Sequence, residues 1–374
     1  MPVRPLPPNP HLAHLRHQAK DLLRDHAARL PASAQRIREF HPRYAHATDD
    51  SIFAGSLSLG DAQLAIARER GFPSWARLKR HIEAPTLADR LDLPHHERIA
   101  DPFFHQAVEL LDAGDVAGLR DWLRQHPKLV NQHVLFEGGN YFRSPSLLEF
   151  LAENPVRHGK LPTNVVRIAQ VILEAGSDEA SRKDTLMLVA TGSVVRECHV
   201  QRPLIALLCS YGADPNSAIR DAAVLDEPDS VMALLEQGAN LDLPVAAALG
   251  RLHDCQRLIT ASISDDRHLA LALASQYGRT EIVRLLLAGG ERPDRYNPPG
   301  GHSHATPLHQ AAASGHLAVV QLLLEHGARL DLRDVLWHGT PADWAAHKGH
   351  TEVEMFLRDE EQKQIEKEYR APSE

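Results

Sequence analysis

The residues best suited to chemistry lie in a loop near the C-terminus that reads RYNPPGGHSH, residues 295–304. Two side chains at positions i and i+2 point to the same side of an extended strand, so His302 and His304 could act together. His338 and Asp334 follow in the next loop. Three imidazoles and a carboxylate are a ligand set that zinc accepts. One chemistry open to these residues is therefore that of a metal site.

Two features of the sequence argue against a metal in this loop. The chain has 24 histidines spread along its length, so local groups of them are expected by chance. A third ligand for His302 and His304 would also have to come from the loop that holds Asp334 and His338. We therefore expect no metal and no cofactor, and keep these four residues as the ligands of the alternative.

The same loop also carries residue types that are typical of protein interfaces. Tyr296 and Trp337 offer large amphipathic rings that could act as anchors for a partner. Pro298 and Pro299 stiffen the loop, which lowers the entropy lost when a partner fixes it. Tyr277 stands at a position where the repeating helix pattern tolerates any side chain. These features predict a binding surface for a protein or peptide.

A second aromatic group lies in VLFEGGNYFRSPS, residues 134–146. Exposed aromatic residues and arginine dominate the energetics of many interfaces. The alternative is that these aromatic residues only brace long loops. The full set predicted to contact a partner is Tyr277, Arg295, Tyr296, Asn297, His302, His304, Trp337, His338, Phe136, Tyr141, Phe142 and Arg143.

Motifs of common catalytic machinery are absent from the sequence. No glycine-rich phosphate loop stands between a strand and a helix, and no serine or cysteine nucleophile has a recognisable setting. The sequence therefore favours a binding protein over an enzyme. The alternative is a small-molecule or metal-dependent enzyme with its site beside the 295–304 loop, because long loops could enclose a pocket.

Length and composition limit the classes of protein to consider. A chain of 374 residues exceeds the size of a single core, so two domains or an elongated array is expected. A content of 43% hydrophobic but only 5% aromatic residues suits packed helices. The formal charge of −8 argues against nucleic-acid binding, which needs a basic face.

The sequence also indicates where the protein works. No apolar run reaches the roughly 18 residues of a membrane span, and the start lacks the apolar segment of a secretory signal. Cys198, Cys209 and Cys255 lack metal-binding spacing and suit buried thiols in a reducing compartment. We expect a cytoplasmic monomer without membrane or nucleic-acid partners.

The elements that position these loops are clearest in ATPLHQAAASGHLAVVQLLLEHGA, residues 305–328. Thr306 can cap a helix with Pro307 in its first turn, and Gly315 ends that helix. A second helix follows and stops at Gly327, a C-cap position. One such pair cannot bury its own apolar face. The pattern therefore predicts a stack of similar helix pairs.

This stretch resembles the ankyrin repeat in TPLH (306–309), AA (311–312), GH (315–316) and LLL (322–324). The next copy holds Thr340, Pro341 and Gly349, and Gly315 to Gly349 is 34 residues, close to the repeat length of about 33. The resemblance implies an all-α solenoid of about eight repeats, some of them degenerate. It also implies a structural hydrogen bond for His309 and partner binding through finger loops and inner helices.

The predicted organisation has four parts: an N-terminal helical module (1–84), a linker that packs on the first repeat (85–102), the repeat array (103–360) and a charged tail (361–374). We expect four helices in the N-terminal module. Its ending, DAQLAIARERGFPSWARLKRHIE, resembles a helical module found on many bacterial ankyrin proteins, which implies a bacterial source.

Overall fold

The computed structural model describes residues 4–7, 10–83, 90–136 and 141–370, the last four by their backbone alone. The chain divides into two compact units. The first is formed by the described parts of residues 1–19 and 63–240, and the second by those of 20–62 and 241–374. This division cuts across the predicted N-terminal module, because residues 20–62 group with the C-terminal repeats.

The described part of the N-terminal region contains five α-helices and a 3-10 helix, Pro42–Tyr44, where the sequence predicted four helices. The α-helices are α1 (Leu12–Ala27), α2 (Pro31–Phe40), α3 (Asp49–Ala54), α4 (Leu59–Glu69) and α5 (Trp75–Glu83). The α-helix that the prediction missed is α3, which Thr48 caps by accepting the Ser51 N–H at 3.3 Å. A capping box begins α4, because Asp61 accepts the N–H of Ser58 at 2.9 Å and Ser58 accepts that of Asp61 at 3.1 Å.

The repeats of the first unit begin after residue 101, and the last of their α-helices ends at residue 236. The helices are α6 (Pro102–Asp112), α7 (Val116–Gln125), α8 (Val165–Glu174), α9 (Glu179–Thr191), α10 (Ser193–Glu197), α11 (Gln201–Ser210), α12 (Ile219–Val224) and α13 (Pro228–Glu236). The first helix of the second repeat is a 3-10 helix, Leu147–Ala152. Relative to the repeat pattern, the second repeat has an inserted loop, residues 153–164, between its two helices, and the third has an insertion that forms α10.

The second unit contains eight further helices of the repeat array. They are α14 (Leu243–Ala248), α15 (Leu252–Leu258), α16 (Ser264–Gln276), α17 (Thr280–Ala288), α18 (Pro307–Ala313), α19 (Leu317–Glu325), α20 (Pro341–Lys348) and α21 (Thr351–Arg370). The predicted tail boundary at residue 360 lies inside α21, which continues to Arg370. The all-α repeat architecture is confirmed for the described residues. Their β-type pairing is an isolated antiparallel bridge between His133 and Ser146.

The core of the second unit comes from the apolar faces of its helix pairs. Leu286, Leu308 and Leu323 are among its fully buried side chains. Burying a leucine contributes roughly 1.5–3 kcal/mol, so each repeat depends on its neighbours for most of its stability.

Two turns between paired helices are covered by a histidine of the following repeat. Gly278 and Gly315 have φ of 66° and 74°, a left-handed conformation that favours glycine. A Cβ atom at Gly278 would lie 2.7 Å from Nδ1 of His316, and one at Gly315 would lie 2.5 Å from Nδ1 of His350. Each turn therefore needs glycine both for its backbone and for the ring that lies over it.

Candidate partner-binding surface

Two neighbouring loops of the second unit, 295–304 and 329–340, hold most of the residues predicted to contact a partner. They are joined by backbone and side-chain hydrogen bonds. The Val335 N–H donates to the His304 carbonyl at 2.9 Å, and the Tyr296 hydroxyl donates to the Arg333 carbonyl at 2.7 Å. The two loops therefore form one continuous surface.

The 329–340 loop is organised around the buried carboxylate of Asp334. Its Oδ1 accepts the N–H groups of Leu336 at 2.9 Å and Trp337 at 2.7 Å. Its Oδ2 accepts the Gly339 N–H at 2.8 Å and the Trp344 Nε1–H at 3.0 Å. Because both carboxylate oxygens already accept two hydrogen bonds each, Asp334 holds the loop together and is not available as a metal ligand.

His309 has the structural role that the family resemblance implied. Its Nδ1 lies 2.8 Å from the Thr306 hydroxyl in a capping box at the start of α18, and its Nε2 lies 3.2 Å from the Gly339 carbonyl. Burial lowers the pKa of His309 to about 4, although the Gly339 carbonyl opposes this change. The imidazole is therefore neutral near pH 7 and holds the next loop in place.

The rings of His304, Trp337 and Trp344 form an aromatic cluster in this surface, and among them only Trp337 is exposed. The rings of His304 and Trp337 are 5.3 Å apart, and those of Trp337 and Trp344 are 6.1 Å apart. Burial, and next the charge of His302, lower the pKa of His304 to about 3. Trp337 is 59% exposed although its backbone is held by Asp334. A large apolar side chain thus projects into solvent from a rigid loop.

The remaining residues of the 295–304 loop mostly brace it. Burial raises the pKa of Tyr296 to about 12, and its hydroxyl is used by Arg333. Arg295 is half-buried and its guanidinium lies 3.0 Å from Asp265. Asn297 and His304 are buried, so their side chains are not available for the direct partner contacts that the sequence predicted.

The proposed metal ligands do not come together. His302 and His338 have φ of 56° and 60° and lie in turns, so the extended geometry expected for His302 and His304 is absent. Within the described residues, the group of His, Cys, Asp and Glu side chains close enough to hold an ion is Asp112, Glu153 and His158. That group lies in the first unit.

This acidic group is already neutralised by arginine. The Arg157 guanidinium lies 2.8 Å from Asp112 and 2.9 Å from Glu153, and its side chain is 1% exposed. His158 Nε2 is 3.1 Å from Asp112. The second oxygen of Glu153 accepts backbone N–H groups of the inserted loop, including that of Arg157 at 2.9 Å. The arrangement attaches the insertion to the first repeat, beside a cleft of about 560 Å³.

The aromatic group of residues 134–146 is mostly internal. Phe136 and Phe142 are buried and their rings are stacked at 6.2 Å, so the bracing interpretation holds for them. His95, from the predicted linker, lies against both rings at 4.9 and 5.2 Å, which agrees with the expectation that the linker packs on the first repeat. Tyr141 is exposed and donates to Asn154 at 2.8 Å. Arg143 is half-buried.

Tyr277 ends α16 and is half-buried, with the Arg279 guanidinium 5.8 Å from the centre of its ring. The structure also brings residues to the 295–304 loop that the sequence did not predict there. The side-chain amide of Gln35, on α2, donates to the Ser303 carbonyl. The Asp49 carboxylate is among the charges that raise the pKa of Tyr296, after burial and Asp334. The N-terminal segment therefore lies against this loop.

Comparison with known proteins agrees with the repeat pattern. A family model for ankyrin repeats (3 copies) matches residues 243–334 and 271–369. Cyclin-dependent kinase 4 inhibitor B of Bos taurus is 31% identical over 125 residues, which are 32% of this chain and 92% of that protein. Cyclin-dependent kinase inhibitor 2A of Homo sapiens is 32% identical over 120 residues, 31% of this chain and 74% of that protein.

Palmitoyltransferase ZDHHC13 of Mus musculus is 33% identical over 115 residues, which are 29% of this chain but 18% of that protein. The relatives named here are mammalian, so the bacterial source stays a prediction. None of the helices in the described part of the chain has the length and apolar character required to cross a membrane.

Proposed function

Because this chain belongs to the ankyrin-repeat proteins, we propose that it is a protein-binding scaffold whose partner contacts the 295–304 and 329–340 loops. The observation that carries the proposal is the side chain of Trp337, which is 59% exposed on a loop fixed by Asp334. An anchor that is already fixed loses little entropy on binding. Two of the relatives are named as inhibitors of cyclin-dependent kinases, which supports a protein partner.

The proposed contact set is narrower than the one predicted from sequence. Its centre is Trp337 with His338, and its margin includes Arg295 and His302, all at least partly exposed. Tyr277 is left out of this set, because Arg295 lies against the start of α16 and Tyr277 follows its end. The buried residues Asn297, His304, Phe136 and Phe142 hold the loops that carry these contacts. Tyr296 braces the surface through Arg333, while Tyr141 and Arg143 belong to a separate loop in the first unit.

The proposal is tested by replacing Trp337 in the full chain and measuring which proteins co-purify, by quantitative mass spectrometry. Trp337→Ala should reduce the recovery of the partner at least about tenfold, because truncating an interface anchor costs about 2 kcal/mol or more. The melting temperature should stay nearly the same, because the exposed ring contributes little burial. The control is Met355→Ala, which removes a 68% exposed side chain on α21 in the same unit.

Undiminished recovery with Trp337→Ala would contradict the proposal, and so would equal loss with Met355→Ala. An unfolded Trp337→Ala protein would show that the ring braces the array.

We also propose that the protein acts in the cytoplasm of a bacterium, as a monomer and without nucleic-acid partners. All three cysteines are free thiols. Burial raises the pKa of Cys209 and of Cys255 to about 11, so both thiols are unreactive, which suits a reducing compartment.

A further inference from the structure

The 295–304 loop already has an occupant from the same chain. Residues 20–62 belong to the same compact unit as residues 241–374. The Gln35 side-chain amide donates to the Ser303 carbonyl, across 268 positions of sequence, and both residues are buried. The covered loop adjoins Trp337 through His304.

Half of the buried residues of α2 are polar, and one of these, Gln35, contacts the 295–304 loop. The residues of α2 that are buried include Ser33, Gln35 and Glu39 beside Ala34, Ile37 and Phe40. Burial raises the pKa of Glu39 to about 6, so its ionised form is destabilised by the folded position. Polar interfaces are typical of contacts that can separate, whereas permanent ones are more apolar.

The covered loop also retains hydrogen-bonding groups that nothing in the described part of the chain satisfies. Asn297 Oδ1 and His304 Nδ1 are buried without a hydrogen-bond partner, as is Gln310 Nε2 on the adjoining α18. All three residues are at least nine-tenths buried. A polar atom that is buried without a partner loses its hydrogen bonds to water and gains none from the protein. A partner segment could supply matched groups at this position only after α2 has moved away, and it would then replace hydrogen bonds that the folded chain does not make.

We infer that α2 and α3, residues 31–54, form a displaceable cover over the 295–304 loop, which a polar segment of a protein partner must displace before it binds fully. The inference rests on the proposed function for its biological meaning. Its physical content, that the cover opens while the repeats stay folded, needs no partner.

Hydrogen exchange of the full chain tests whether this opening occurs. Amides of Arg38–His41 in and after α2 and those of Asn297 and Ala305 in the loop should exchange through one shared opening, with protection factors within about threefold of each other. Both groups should exchange at least about tenfold faster than Val320–Leu323 in the core helix α19. If the α2 amides exchange as slowly as those of α19, the segment is a fixed part of the core and the inference is wrong.

Substitution of Gln35 tests whether its hydrogen bond holds the cover closed. Gln35→Ala should speed exchange in both α2 and the loop by roughly five- to tenfold, the effect of losing one buried hydrogen bond, and leave α19 unchanged. Gln35→Glu keeps the size of the side chain but removes the donor, so it should act in the same direction even if Gln35→Ala folds poorly. The matched control is Gln18→Ala, which removes an amide that accepts from Arg70 at 3.0 Å in the first unit.

Three results would overturn the inference: no change in the loop with both Gln35 variants, an equal change with Gln18→Ala, or acceleration of α19 together with the loop. None of these results depends on Trp337. Failure of the cover is therefore distinguishable from failure of the proposed partner site.

Discussion

Replacement of Asp334 by asparagine should strongly destabilise the C-terminal repeats. Its two carboxylate oxygens accept four N–H groups, from Leu336, Trp337, Gly339 and the Trp344 indole. An asparagine side chain has one acceptor oxygen, and its NH2 group would face the two remaining donors. Two hydrogen bonds to a charged group are lost, each worth about 1.5–3 kcal/mol, so we expect the free energy of unfolding to fall by about 3–6 kcal/mol.

Urea denaturation measures this loss, with circular dichroism reporting on all helices and fluorescence on the four tryptophans, of which Trp337 and Trp344 lie in these repeats. The part of the fluorescence transition that comes from Trp337 and Trp344 should shift to lower urea. Because neighbouring repeats stabilise each other, the circular dichroism transition should shift in the same direction. Asp331→Asn is the control. Asp331 pairs with Arg329 at 2.6 Å, but both side chains are more than half exposed, so the loss should stay within about 0.5 kcal/mol.

If the free energy of unfolding of Asp334→Asn lies within about 1 kcal/mol of the wild-type value, the reasoning is wrong. That result would mean that solvent or a loop rearrangement can satisfy the freed N–H donors.

Two further predictions concern buried ionisable groups. Lowering the pH from 6.5 to 5 should reduce the free energy of unfolding by about 1.5 kcal/mol for each of His304 and His309. The reason is that the imidazoles of the unfolded chain bind protons near pH 6.5, whereas in the folded chain the pKa of His304 is about 3 and that of His309 about 4, so both rings stay neutral. Urea denaturation at both pH values measures the sum, and NMR resonances of either folded ring that titrate near pH 6.5 would contradict it. Arg157→Ala removes the buried guanidinium between Asp112 and Glu153, whose remaining partners are His158 and backbone N–H groups, and should cost about 3–5 kcal/mol in thermal or urea unfolding. Arg124→Ala, which breaks a mostly exposed pair with Asp121, should cost less than about 0.5 kcal/mol, and equal losses would contradict the argument.

The helix pairs could be predicted because their signals are local. Thr306 and His309 form the start of α18 within four residues of sequence, and Gly315 marks its end by its backbone conformation. By contrast, α3 has only six residues and one cap, so it is too short to show a periodic apolar pattern in the sequence. Elements with repeated apolar spacing were therefore found and the short one was not.

The accessibility of individual loop residues depends on contacts distant in sequence. The sequence places His304 in a polar loop, and only the Trp337 and Trp344 rings and the Val335 N–H make it internal. Gln35 is a polar residue on a helix, which a sequence pattern assigns to solvent, yet its partner lies 268 positions away. Residue types predicted the surface correctly at Trp337, where exposure follows from the tight turn that Asp334 closes.

The glycine and histidine that meet at these two turns belong to different repeats, so the repeat that holds Gly315 and His316 carries half of each contact. Deleting or duplicating the segment from one of these turns to the other would keep a histidine beside the glycine. A segment offset by one helix would separate them. Gly250 faces the Arg279 side chain at 3.1 Å instead, so an exchange at that turn would join unlike partners. On the C-terminal side of that turn, we therefore expect changes in length by whole repeats to be tolerated best.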